Sequence, residues 1–110
     1  MSVPEISVQD LGERLKSEQD FIILDVREPW EVAQAKWDDA RVRLSPMSIL
    51  AQRGLEPLQE EIPVVVVCHH GIRSWQVTNW LLSQGWKDVV SLRGGIEAYA
   101  LEVDASVGRY

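Results

Sequence analysis

Hydrophobic positions along the chain fall into two alternating patterns. Short runs rich in apolar and β-branched residues are typical of strands, and they occur at 21–26, 40–44, 63–68 and 89–92. The run at 63–68, PVVVVC, is apolar on both faces, as in the middle of a parallel sheet covered by helices on both sides. The pattern therefore predicts four strands, with this run at the centre.

Helical spacing and helix-start signals mark the segments between these strands. The predicted helices cover 8–18, 28–36, 45–53, 74–83 and 96–102. Ser7 is the expected cap of the first helix, and Pro29 suits the first turn of the second. Ser45 and Pro46 are predicted to form a cap and first-turn pair for the third helix. Gly85 suits a left-handed position after the fourth.

Strands that alternate with helices indicate an α/β domain with a mostly parallel sheet. No repeat, low-complexity tract or linker interrupts the chain, so residues 1–110 are predicted to form one domain. Ligand sites in such sheets lie beyond the carboxyl ends of the strands. Cys68 ends the predicted central strand and is therefore the first candidate for a functional residue.

Composition and charge narrow the function classes. The chain is 45% hydrophobic, enough for a single core. Its net charge of −6 and scattered basic residues argue against a nucleic-acid or anionic-membrane surface. No apolar run is long enough for a membrane helix, and residues 1–10 resemble no secretory signal, so a cytoplasmic location is expected. The single cysteine agrees with a reducing compartment.

The segment after Cys68 has room only for a tight loop. Gly71 can take a positive φ or let the backbone approach a ligand closely. Successive N–H groups in such a loop can form an anion-binding nest beside the positive end of the next helix. Together with Arg73, they would favour a thiolate, which is the nucleophilic form of cysteine.

A buried structural role is the alternative for a cysteine at the end of a strand. The following sequence, His-His-Gly-x-Arg-Ser, favours a functional loop instead. His69 and His70 would add positive charge when protonated. Neither lies near another cysteine or a carboxylate at metal-ligand spacing, so we expect no metal and no cofactor.

Three segments of the chain resemble the rhodanese domain, in particular the short single-domain sulfurtransferases. They are ILDVREPWE at 23–31, VVVVCHHGIRS at 64–74 and WLLSQGWKDVVSLRGGIEAY at 80–99. The resemblance implies a five-stranded parallel sheet flanked by helices on both faces. It also implies a six-residue active loop that has a catalytic cysteine followed by substrate-binding residues: Cys68, His69, His70, Gly71, Ile72 and Arg73.

The implied activity is a two-step sulfur transfer through a cysteine persulfide. Thiosulfate or another sulfane donor would load Cys68, and the persulfide would then pass its sulfur to cyanide or to a thiol. A small-molecule donor and a thiophilic acceptor are the expected partners, and a protein sulfur acceptor is left open. His69 and His70 are expected to line the pocket entrance rather than act as acid and base.

Roles for the polar residues around the loop also follow from the resemblance. Asp25 and Arg27 are expected to form a structural pair. Arg73 either binds the anionic donor or forms a salt bridge to Asp25 or Glu28, and both alternatives stay open. Ser74 is expected to cap the helix after the loop rather than hydrogen-bond the sulfur.

Two other functions compete with sulfur transfer. Cysteine phosphatases related in fold have five residues between cysteine and arginine, whereas four separate Cys68 from Arg73 here. A non-catalytic or relay module is the second alternative, and the presence of the cysteine argues against loss of reactivity. The segment 35–40 departs from the family's usual Gly-His-Ile-x-Gly-Ala, which leaves the conformation of that edge loop open.

Overall fold

The computed structural model describes residues 3–54 and 62–110, and strands alternate with helices along them. The strands are β1 (Glu5–Ile6), β2 (Ile22–Asp25), β3 (Val42–Leu44), β4 (Val64–Val67) and β5 (Val89–Leu92). The helices are α1 (Val8–Lys16), α2 (Pro29–Val32), α3 (Met47–Arg53), α4 (Ile72–Ser83) and α5 (Gly95–Glu102), and a 3₁₀ turn follows at Ala105–Val107. No helix in these two ranges is long and apolar enough to cross a membrane.

All five strands pair in parallel in one sheet, in the order β1-β5-β4-β2-β3. This arrangement confirms the predicted α/β fold with β4 at the centre of the sheet. The pattern of apolar residues missed β1, because two residues are too few to show a period. β1 pairs with β5, through Glu5 opposite Ser91 and Ile6 opposite Leu92.

Two apolar layers cover the faces of the sheet, and alternate residues of β4 belong to different layers. Val65 and Val67 pack in the layer that includes α5, while Val64 and Val66 pack in the layer that includes α4. Cys68 follows β4 directly and belongs to the same layer as Val66. The alternation therefore turns the cysteine side chain toward α4.

Several helix ends differ from the sequence prediction. α2 ends at Val32 rather than at residue 36, although Pro29 does occupy its first turn. Ser45 does not cap α3: the N-cap is Pro46, and the Ser48 N–H in the first turn donates to the Glu28 carboxylate at 3.4 Å. Ser45 instead continues the pairing of β3 with β2, because its N–H donates to the Asp25 carbonyl at 2.8 Å.

Other cap predictions are confirmed. The Ser7 side chain accepts from the Asp10 N–H at 3.1 Å at the start of α1. Gly85 follows the end of α4 with φ of +98°, the left-handed conformation expected of it. The segment 35–40, whose sequence departs from the family pattern, has no helix or strand, and buried Trp37 anchors it by edge-to-face contact with Tyr99.

Candidate active site

The Cys68 sulfur lies at the carboxyl edge of the sheet, between the end of β4 and the start of α4. It is buried, and two backbone N–H groups donate to it: Gly71 at 3.1 Å and Ser74 at 3.3 Å. Both belong to the N-terminal end of α4, a helix of 12 residues whose dipole adds positive potential there. The two N–H groups converge on the sulfur, which is the arrangement that the predicted nest requires, and anion binding by the loop stays a prediction.

Gly71 is the residue that makes this loop possible. It is the N-cap of α4 and has φ of +99°. A Cβ atom at this position would also lie 3.0 Å from the Gly94 nitrogen and 3.3 Å from the Leu92 carbonyl oxygen. Only glycine fits both the conformation and the space.

Ser74 contacts the sulfur, and its predicted role as a helix cap is wrong. The helix begins two residues earlier than predicted, so Ser74 is the third residue of α4 rather than its cap. It is also fully buried. The Cys68 thiol donates to Ser74 Oγ at 3.4 Å, and Ser74 Oγ lies 2.8 Å from Ser91 Oγ. Ser91 was not among the predicted site residues, although a serine within the otherwise apolar strand VVSL indicates a polar contact.

Ile72 and Arg73 form the first turn of α4 rather than a loop. Ile72 is 70% exposed to solvent. Arg73 forms two hydrogen bonds with Glu31, at 2.7 and 2.8 Å. The predicted salt bridge therefore exists, but its partner is Glu31 and neither Asp25 nor Glu28.

Glu31 is the buried member of this ion pair. Its carboxylate also accepts the Glu28 N–H at 2.9 Å. The Arg73 guanidinium, with smaller contributions from Glu28 and Tyr110, outweighs burial and lowers the pKa of Glu31 to about 2. Glu31 also raises the pKa of Arg73. Both groups are charged throughout the physiological pH range.

Tyr110 joins this ion pair to a second one. Its hydroxyl donates to Glu31 at 2.9 Å and accepts from Arg27 at 3.3 Å. Arg27 is completely buried and binds Asp25 at 2.8 Å, which confirms these two residues as a structural pair. The resulting chain Asp25–Arg27–Tyr110–Glu31–Arg73 links the end of β2 to the active loop. The sequence offered no signal for the position of Tyr110.

His69 and His70 lie on the outer side of the loop, and His70 is exposed. The His69 ring stacks between those of His70 and Tyr110, with both centroid distances 3.8 Å. Burial lowers the pKa of His69, and the neighbouring His70 lowers it further. His69 is therefore neutral at neutral pH, and the role of both histidines at the entrance stays a prediction.

One group of possible metal ligands occurs next to the loop. Nitrogen and oxygen atoms of His69, His70 and Glu97 lie within 4.8 Å of one another. The Glu97 carboxylate already accepts a hydrogen bond from Arg109 at 2.6 Å, so it has a cationic partner without a metal. We therefore assign no metal to this group.

Comparison with known proteins identifies the family. The Rhodanese-like domain family matches residues 7–102. The chain is a member of the rhodanese family. The rhodanese domain is 31% identical to a rhodanese-related protein from Thermoplasma volcanium of known structure, with a TM-score of 0.73 over 91% of this chain and 93% of that one.

Curated relatives of this rhodanese are named for sulfur transfer. It is 38% identical to a sulfurtransferase from Allochromatium vinosum, over 89% of each chain. It is 35% identical to the thiosulfate sulfurtransferase GlpE of Coxiella burnetii, over 90% of this chain and 89% of that one. The protein is accordingly a sulfurtransferase, with a small sulfur donor and acceptor as its substrates.

Proposed function

We propose that the protein moves sulfane sulfur from thiosulfate or a similar donor to cyanide or a thiol through a persulfide on Cys68. The observation that carries this proposal is that the Cys68 sulfur accepts hydrogen bonds from the Gly71 and Ser74 N–H groups at the start of α4. A persulfide on Cys68 is an anion, and N–H groups directed at the sulfur favour negative charge there.

Each half of the proposed reaction balances without a cofactor. The Cys68 thiolate attacks the outer sulfur of thiosulfate, the donor S–S bond breaks, and sulfite leaves with the bonding electrons. Cyanide or a thiolate then attacks the outer sulfur of the persulfide and restores the Cys68 thiolate. Sulfite is a stable dianion that needs no proton from the enzyme, which agrees with a neutral His69 at the entrance.

Arg73 is the proposed donor-binding residue. One N–H on each terminal nitrogen of the Arg73 guanidinium donates to Glu31. The three other N–H groups of the guanidinium do not take part in this ion pair and suit the oxygens of a sulfonate-like donor. Phosphoryl transfer fits less well, because four residues separate Cys68 from Arg73, one fewer than in the cysteine phosphatases. An aryl phosphate is therefore not a proposed substrate.

Replacement of the nucleophile tests the proposal directly. Cys68→Ser should lose all conversion of thiosulfate and cyanide to thiocyanate, because an alkoxide does not form at neutral pH and no persulfide can be stored. The variant should keep its fold, since serine is close in size to cysteine. Thiocyanate assay and circular dichroism measure the two outcomes. Turnover by the folded variant would contradict the proposed role of Cys68.

A protein thiol is the second proposed acceptor, and the exposed side of α4 supports it. Arg73 is the only charged residue of this helix. Trp75 is 40% exposed and lines a pocket with Gly71 and Ile72, and Trp80, further along the helix, is 38% exposed. An exposed surface that carries tryptophans and few charges is typical of protein interfaces. Transfer to a protein partner inside the cell also agrees with the proposed cytoplasmic location.

A charge placed on this surface tests the protein acceptor. Trp75→Glu should lower sulfur transfer to a reduced protein dithiol such as thioredoxin by roughly tenfold, because a buried unpaired carboxylate weakens docking. Transfer to cyanide should not change. Leu101→Glu is the matched control, since Leu101 is also exposed but lies at the far end of α5. Equal effects of the two variants would contradict the docking surface.

A further inference from the structure

The positive charge of Arg73 is compensated at the place where a donor would meet it. Glu31 binds both terminal nitrogens of the guanidinium at 2.7 and 2.8 Å. The Glu31 side chain is 4% exposed, whereas the Arg73 side chain is 32% exposed. The carboxylate therefore lies behind the guanidinium, shielded from water, and its negative charge acts on the loop with little screening.

The other charges of the network do not restore a positive site. The Arg27 charge is matched by Asp25 at 2.8 Å, and Tyr110 between the two pairs is uncharged at neutral pH. His69 is neutral there as well. The four charged residues of the network thus sum to zero, and the attraction for an incoming anion comes from the N–H groups and the dipole of α4.

The zero net charge of this network affects the choice of substrate, because sulfur donors differ in charge. Thiosulfate is a dianion, while a persulfide or an organic thiosulfonate carries one negative charge on its reactive group. A site with no net charge gains little from the second charge of thiosulfate, and the Glu31 carboxylate repels that charge.

We infer that Glu31 is a donor-selecting residue, which cancels the Arg73 charge and so favours monoanionic donors such as persulfides over thiosulfate. The inference rests on the proposed sulfur transfer through Cys68. It goes beyond that proposal by assigning the preference among donors to a residue that touches neither the sulfur nor the nest.

A pair of donors that share their reactive sulfur tests the inference. Thiosulfate and methanethiosulfonate both present a terminal sulfur on an oxidised sulfur, but they carry two and one negative charges. Glu31→Gln should raise kcat/KM for thiosulfate relative to methanethiosulfonate by roughly tenfold, mainly through a lower KM for thiosulfate, because Arg73 regains its net charge.

Glu28→Gln is the matched control. It removes the same charge from the start of the same helix, but the Glu28 carboxylate binds Ser48 at 2.8 Å and does not contact Arg73. The donor ratio should stay unchanged in this variant. An equal loss with both donors in Glu31→Gln would mean that Glu31 only positions Arg73, and this result would overturn the inference.

A measurement on the unaltered protein covers the case in which Glu31→Gln does not fold. The kcat/KM for thiosulfate should stay level or rise as the ionic strength increases to about 0.15 M, because the Glu31–Arg73 pair has no net charge whose attraction salt could screen. A steep fall would overturn the inference. If the protein uses neither donor, the proposed function fails and the inference fails with it; use of both with an unchanged ratio rejects the inference alone.

Discussion

At the scale of single residues, the ion pair between Glu31 and Arg73 connects the stability of the protein with its chemistry. The pair fixes the first turn of α4, the same turn that supplies N–H groups to Cys68. The pKa of Glu31 is lowered to about 2, chiefly by its hydrogen bonds with Arg73. A carboxylate whose pKa falls on folding stabilises the folded state wherever the unfolded chain would also be ionised.

The stabilisation from Glu31 should disappear in acid. It is complete above about pH 4.5, where glutamate is ionised in the unfolded chain, and is lost as the pH falls toward 2. The difference in unfolding free energy between the unaltered protein and Glu31→Gln should shrink by about 2–3 kcal/mol over that interval. Urea unfolding at a series of pH values measures it. A difference that does not change with pH would contradict the ion pair's role in stability.

Residues near the cysteine could be predicted to different degrees. Gly71 and the nest followed from the sequence, because a tight loop between a strand and a helix leaves few other conformations. The partner of Arg73 could not be predicted from the sequence, because Asp25, Glu28 and Glu31 lie within seven positions of one another. Which of them faces α4 depends on how α2 packs, and this is set by tertiary contacts.

At the scale of elements, the start of α5 supports the active loop from the opposite side to α4. The Ile96 N–H donates to the Cys68 carbonyl at 3.0 Å, and the Glu97 N–H donates to the His69 carbonyl at 3.1 Å. A Cβ atom on Gly95 would lie 2.3 Å from the His69 carbonyl oxygen. The start of α5 thus supports the loop, and it can come this close only because Gly95 has no side chain.

Gly95→Ala should displace the active loop. The added methyl overlaps backbone atoms, so we expect a loss of roughly 3 kcal/mol in unfolding free energy and of most sulfur transfer. Gly85→Ala is the control, because it has the same kind of positive φ but open space around its Cβ position. It should cost about 1 kcal/mol and keep its activity. Similar behaviour of both variants would contradict the support given by α5.

The lengths of the elements were the least predictable feature at this scale. The central strand was evident because its four valines suit a position buried on both faces. α2 was predicted too long, because the sequence EPWEVAQAK is compatible with a helix throughout, yet the chain leaves it after Val32 and buries Ala35 and Trp37. Burial of these two side chains outweighs local helix preference.

At the scale of the whole molecule, the fold brings together groups that are far apart in the sequence. Cys68 lies at the centre of the sheet edge, and the residues that complete its surroundings come from α2, α4, α5, β5 and the segment ending at Tyr110. The α/β fold followed from the alternation of strands and helices. The contact of Tyr110 with Glu31 did not, because it joins positions 79 residues apart.

The central claim is that Cys68 carries sulfur as a persulfide, and one measurement tests it most directly. Intact mass spectrometry of the reduced protein should show a gain of one sulfur atom after brief exposure to thiosulfate or methanethiosulfonate. Cyanide should then remove that sulfur as thiocyanate, and Cys68→Ser should gain nothing. An unchanged mass with either donor, in a folded protein whose Cys68 thiol is still free, would contradict the account.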